Sequence, residues 1–171
     1  MTTRYRMFHW AICVMLAMPL ALWAAPPTVQ VDPPNLHGSR TVEAQTASAV
    51  IRDYLESWQS LRQAMQQDRP NLLDRDFAGA AKDKLTDTVQ DQAKFGIQTR
   101  YQDRSHDLQI VFYSPEGLSI QMIDTVVYDQ QVLLHGKALA KQRMHARYIV
   151  VMTPAEARWQ VRIFQADPAA Q

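Results

Sequence analysis

Residues 118–152 read "LSIQMIDTVVYDQQVLLHGKALAKQRMHARYIVVM". From Leu118 to Val126 every second residue is apolar, with one exception. Leu118, Ile120, Met122 and Val126 share a face of a strand, and Asp124 sits among them. The turn residues "HGK" at 135–137 interrupt the pattern, and alternation resumes through Tyr148, Val150 and Met152. Two long strands joined by a tight turn make the start of an antiparallel sheet.

Working outward, the same period of two covers 97–113, 118–134, 138–153 and 158–166. "SPEG" (114–117) and "TPAEA" (153–157) supply the remaining turns. Upstream the period changes. Val50, Ile51, Tyr54, Leu55, Trp58, Leu61 and Met65 recur at spacings of three and four, which predicts a helix over 42–67 with Thr41 as its N-cap. Pro70 ends it and opens a short second helix, "PNLLDRDF". A third spans 80–95, with Ala81, Leu85, Thr88, Val89, Gln92 and Phe95 as its inner stripe and Gly96 at its C-cap. Helices first and a strand meander afterwards give an α+β fold: three helices packed on one face of a curved, four-strand antiparallel sheet.

The N-terminus is different in kind. "MTTRYRMFHWAICVMLAMPLALWAAPP" carries Arg4 and Arg6, then an apolar run from Ala11 to Trp23, then small residues. That is the layout of a signal peptide, and it is short for a membrane span of about 20 apolar residues. The expected organisation is an export segment or N-terminal anchor at 1–24, a Pro-rich linker at 25–40 and a folded domain at 41–167. The protein is then periplasmic or secreted, or else held at the membrane through residues 7–25 if the segment is uncut. The single cysteine, Cys13, leaves with the segment, so the domain has no disulfide and no thiolate metal site.

The whole chain of 171 residues has 18 Lys and Arg against 17 Asp and Glu, a formal charge of +1, with no basic run of the kind that marks nucleic-acid binding. His106, His135 and His145 have no metal-ligand spacing, and no phosphate-binding glycine loop or nucleophile elbow is present. No metal or cofactor is expected.

Register reading makes Asp124 specific. A three-residue turn at His135–Lys137 places Leu134 opposite Ala138, and then Met122 opposite Val150, Asp124 opposite Tyr148, and Tyr128 opposite Met144. A five-residue loop from Tyr113 to Gly117 places Phe112 opposite Leu118 and His106 opposite Asp124. Thr153 opposite Arg158 places Tyr148 opposite Ile163. The result is a polar row, His106–Asp124–Tyr148, on the helix-facing side. A turn of "HG" alone instead pairs Asp124 with Arg147 as a plain cross-strand ion pair.

The closing stretch "RYIVVMTPAEARWQVRIFQA" and "NLLDRDFAG" after the first helix resemble the nuclear transport factor 2-like superfamily of α+β cones. The resemblance covers about 42–166. Ketosteroid isomerase, SnoaL-like proteins and the intermembrane-space domains of organelle-division proteins share the pattern. It implies a conical pocket between sheet and helices. In the isomerase-type enzymes an Asp is the base, and a Tyr with a second acid holds the oxyanion. Asp124 and Tyr148 match those roles by residue type only, because the enzymes' motif order is absent.

Two readings of the row stand side by side. In one, Asp124 is a general base or acid, Tyr148 a donor to substrate and His106 a tuning group. In the other, the three groups satisfy one another within the core. Tyr54, Trp58 and Trp159 fit packing stripes and also serve, with Asp124 and Tyr148, as the candidate lining of a small apolar ligand's pocket. The outer sheet face, with Val111, Ile123, Val127, Ile149, Val151 and Phe164 among charges, is a candidate homodimer surface. The chain reads as an exported, non-enzymatic ligand-binding or assembly domain. The alternative is an isomerase- or cyclase-like enzyme using Asp124 and Tyr148.

Overall fold

The computed structural model describes residues 25–38 and 40–167. The expected export segment at 1–24 lies outside them. No described helix is long and apolar enough to cross a membrane.

Five strands form one curved sheet in the order β1-β2-β3-β4-β5: β1 Thr28–Val31, β2 Ile97–Tyr113, β3 Ile120–Leu134, β4 Lys137–Pro154 and β5 Trp159–Ala166. Helices α1 (Ala44–Gln67) and α2 (Gly79–Lys94) cover one face, joined by a 3-10 turn at Pro70–Leu73. The four-strand meander is therefore extended by a fifth strand that the sequence did not suggest. β1 arises from the Pro-rich stretch expected to be a linker, and it pairs in parallel with β2, Thr28 opposite Ser105. The arm continues to hydrogen-bond beyond it, with Asn35 N donating to Ile110 O at 3.0 Å and His37 N to Val111 O at 2.8 Å.

The expected second helix is only the 3-10 turn. The chain leaves helical geometry there to join the sheet: Ala78 N donates to Val161 O and Val161 N to Asp76 O, each at 2.9 Å. Two α-helices thus stand where three were expected. Glu43 rather than Thr41 takes the N-cap of α1, and Phe95, expected on the inner stripe of α2, is 66% exposed.

The core lies between α1 and the sheet, where Val50, Tyr54, Ile120, Met122, Val126, Val150 and Met152 are fully enclosed. The β3–β4 register matches the expected one over Met122↔Val150, Asp124↔Tyr148 and Tyr128↔Met144, though by a different route. The turn is two residues, His135 and Gly136, both with positive φ (48° and 78°), the geometry whose twist suits a hairpin. A bulge between Val132 and Leu133 then restores the offset. The other two registers differ from expectation. Ser114 N donates to Ser119 O, and the Ser114 hydroxyl accepts from Leu118 N and Ser119 N, so β3 starts later. Leu108 therefore faces Asp124, and His106 faces Val126. On β5 a bulge at Arg162 puts Ile163 opposite Val151 and Phe164 opposite Val150. Phe164 consequently turns inward, off the outer face where it was expected, and Ile163 takes its place there at 40% exposure.

Candidate functional site

α1 brings Tyr54 over the centre of the sheet. Its hydroxyl donates to Asp124 Oδ2 at 2.6 Å, and His106 Nδ1 meets the same oxygen at 2.9 Å. The two-residue slip between β2 and β3 leaves His106 and Asp124 on one face, because side-chain direction repeats every second residue. A bulge between Asp103 and Ser105 also turns Asp103 inward, where its Oδ2 lies 3.8 Å from His106 Nε2 and pairs with Arg62. Burial pulls the His106 pKa down, but the Asp103 and Asp124 carboxylates outweigh it and hold the imidazole up at about 9. Burial raises the Tyr54 phenol, and the charge of Asp124 raises it further. His106 is therefore an imidazolium at neutral pH, between two carboxylates.

Tyr148 sits opposite Asp124 in register but does not bond to it. Its hydroxyl lies 3.4 Å from that of Tyr128, and its ring stacks on Phe164, centroids 4.4 Å apart. The expected row is thus met only in part: Asp124 does face Tyr148, but His106 reaches Asp124 diagonally, and helix residue Tyr54, not Tyr148, bonds to it.

Trp58, one turn after Tyr54 on α1, divides the interior. Its ring lies 5.2 Å from that of His106, 5.8 Å from that of Tyr148 and 5.6 Å from that of Phe164. It also lines a cavity of about 260 Å³. Its walls are the rings of Trp58, Tyr101, Tyr128, Tyr148 and Phe164, with Leu61, Met65 and Leu85 from the helices. Thr88 and Lys84 add the polar groups of α2. Burial pushes the Tyr101 phenol up to about 12 and raises that of Tyr148, so both stay protonated donors. Of the residues proposed as a ligand box, Trp58 and Tyr148 line this cavity. Tyr54 and Asp124 are enclosed behind Trp58. Trp159 is at the start of β5, where its backbone N–H donates to Asp53 at 2.8 Å. Tyr101, Tyr128 and Lys84 were not foreseen; Tyr128 shares the inward parity of β3, whereas Tyr101 comes inward only through the bulge between Asp103 and Ser105.

A second hollow, an open groove of about 780 Å³, runs between the arm and α1 past Val31, Pro34, Val42, Ile51 and Leu55. Its one charged residue, Arg52, is paired with Asp53. Among the described residues no cluster of His, Cys, Asp or Glu is arranged to hold a metal ion.

No protein-family model and no curated protein matches the sequence. Solved structures do match in shape. The intermembrane-space region of the chloroplast protein ARC6 superposes with a TM-score of 0.59 at 16% identity, over 74% of this chain and 98% of that one. A protein assigned as a scytalone dehydratase from Novosphingobium aromaticivorans superposes with a TM-score of 0.50 at 9% identity, over 73% of this chain and 89% of that one. Identities this low speak to fold and not to activity. Two helices closing one face of a curved sheet over an aromatic interior complete the comparison: the chain has the nuclear transport factor 2-like fold.

Proposed function

We propose that the protein is an exported, non-enzymatic domain that binds a small apolar ligand in the cavity beyond Trp58. One observation carries this reading: the aromatic-walled cavity and the buried carboxylate are separate. Asp124 does not line the cavity, and its Oδ2 already accepts from Tyr54 and His106. A concave, mostly apolar hollow with a few polar groups is the usual form of a small-ligand site, and at about 260 Å³ this one falls just below the roughly 300–1,000 Å³ range of drug-sized ligands. The test is binding of N-phenyl-1-naphthylamine, a neutral fluorescent probe, to the protein and to Ala81→Phe, which fills the cavity from α2. Saturable binding weakened about tenfold or more by the substitution supports the reading; binding indifferent to it sinks the reading. Export rests on the N-terminal sequence, and mass spectrometry of the exported protein would locate the cut near Ala24.

The alternative, an isomerase- or cyclase-like enzyme, draws support from Asp124 Oδ1 and His106 Nε2, which have no hydrogen-bond partner among the described residues. It requires Trp58 to move aside so that substrate reaches them. Assembly is compatible with ligand binding. Ile123, Val127, Ile149 and Val151 are half-buried on the face that no helix covers, beside exposed Ile163. Size-exclusion chromatography with light scattering tests it: a monomer at high concentration removes the sheet-to-sheet dimer.

A further inference from the structure

The lining of the cavity also discriminates by charge, an inference that rests on the binding reading above. Among its residues no carboxylate appears, and the only charged side chain is Lys84. The neighbouring lysines of α2 are neutralised, Lys82 by Asp74 and Lys94 by Asp91, each at 3.0 Å. Lys84 has no acidic partner among the described residues. Its ammonium therefore brings an uncompensated positive charge to a hollow walled by rings.

We propose that the cavity selects a planar, apolar monoanion, an aromatic carboxylate of bicyclic size, with its rings against Trp58, Tyr148 and Phe164 and its carboxylate on Lys84. The rings offer offset-stacked and edge contacts of the kind aromatic ligands prefer. The phenols of Tyr101 and Tyr148 remain protonated, so they donate to a carboxylate and do not repel it. A rim of aromatic faces alone would suit a cation equally well. Lys84, with no carboxylate to offset it, turns that preference around.

The experiment compares three probes that share the naphthyl ring, by calorimetry on the full chain: 2-naphthoate, 2-naphthylmethanol and 2-naphthylmethylammonium. The expected order is carboxylate, then alcohol, then ammonium, with the carboxylate about tenfold tighter than the alcohol, the size of one charge-assisted hydrogen bond. Lys84→Met should abolish that advantage, so that carboxylate and alcohol bind within about twofold of each other. Lys84→Glu should reverse the order of the two ions. Equal binding of carboxylate and alcohol, or a carboxylate preference that survives Lys84→Met, overturns the proposal while leaving the ligand-binding reading intact. Failure of all three probes together with N-phenyl-1-naphthylamine overturns both.

Discussion

His106 and Asp124 lie on neighbouring strands and meet at 2.9 Å, although neither is the other's partner in the register. The contact gives the first prediction. The folded-state pKa of His106, about 9, is above the ordinary value of 6.5. Between those two values the native protein keeps a proton that the unfolded chain has released. The contribution is complete below pH 6.5 and is lost as pH rises through 9, at no more than ~1.4 kcal/mol per pH unit. Urea unfolding at pH 6, 7.5 and 9.5 should show the midpoint falling, and His106→Leu should flatten the trend. A ring titration near 6.5 by NMR would falsify the assignment of His106 as a paired imidazolium.

Tyr54 gives the second. Phenylalanine at this position keeps the ring and removes one donor from a carboxylate that is wholly enclosed. The expected loss is about 1–3 kcal/mol. Asp124→Asn should cost more, about 3–5 kcal/mol, because His106 then loses a charged partner inside the core. In a double-mutant cycle the two losses should fall short of additive. Strict additivity would mean that Tyr54 and Asp124 do not interact in solution.

A third concerns Asp76, which is completely buried and accepts from Ser60, Arg75 and Arg158. Arg158 also reaches Glu56 at 3.0 Å, tying the start of β5 to α1. Arg158→Met should destabilise by about 3 kcal/mol, near the low end for breaking a buried pair, since Asp76 retains two other donors. Arg75 is 59% exposed on its side chain, and Arg75→Met should cost below about 1 kcal/mol. Chemical denaturation separates the two, and equal losses would contradict the ranking.

Two glycines make a fourth. Gly96 and Gly136 both have positive φ, 65° and 78°. A methyl group on Gly96 would collide with the His135 ring, whereas one on Gly136 meets nothing within 4 Å. Gly136→Ala should therefore show only the left-handed backbone cost, about 1–2 kcal/mol, and Gly96→Ala clearly more. His135→Asn should recover part of the Gly96→Ala loss, because Asn is small and suits the first turn position. Thermal melts of the three variants decide it.

The strands were legible in the sequence because alternation needs only parity. A slip of two residues at β2–β3 left His106 and Asp124 facing the helices, so the site survived an incorrect pairing. Bulges were not legible, since an extra residue such as Arg162 leaves no compositional mark, and it reversed the faces of Ile163 and Phe164. β1 escaped notice because an edge strand of four residues between prolines has too little alternation to register. The bond from Tyr54 to Asp124 joins positions 70 apart in the chain, and nothing in local spacing encodes which helix residue lands on which strand. Lys84 has no mark in the sequence that sets it apart from the other lysines of α2. Its significance arises only from the acids that pair with its neighbours and leave it out.

The Trp58 ring touches both that of His106 and those of Tyr148 and Phe164, which line the cavity. A single indole is therefore an optical gauge for two compartments. The neighbouring imidazolium quenches indole emission, and an aromatic ligand in the cavity perturbs it. With the other tryptophans replaced, one fluorescence signal would follow both the proton and the guest, and would reveal whether the two communicate.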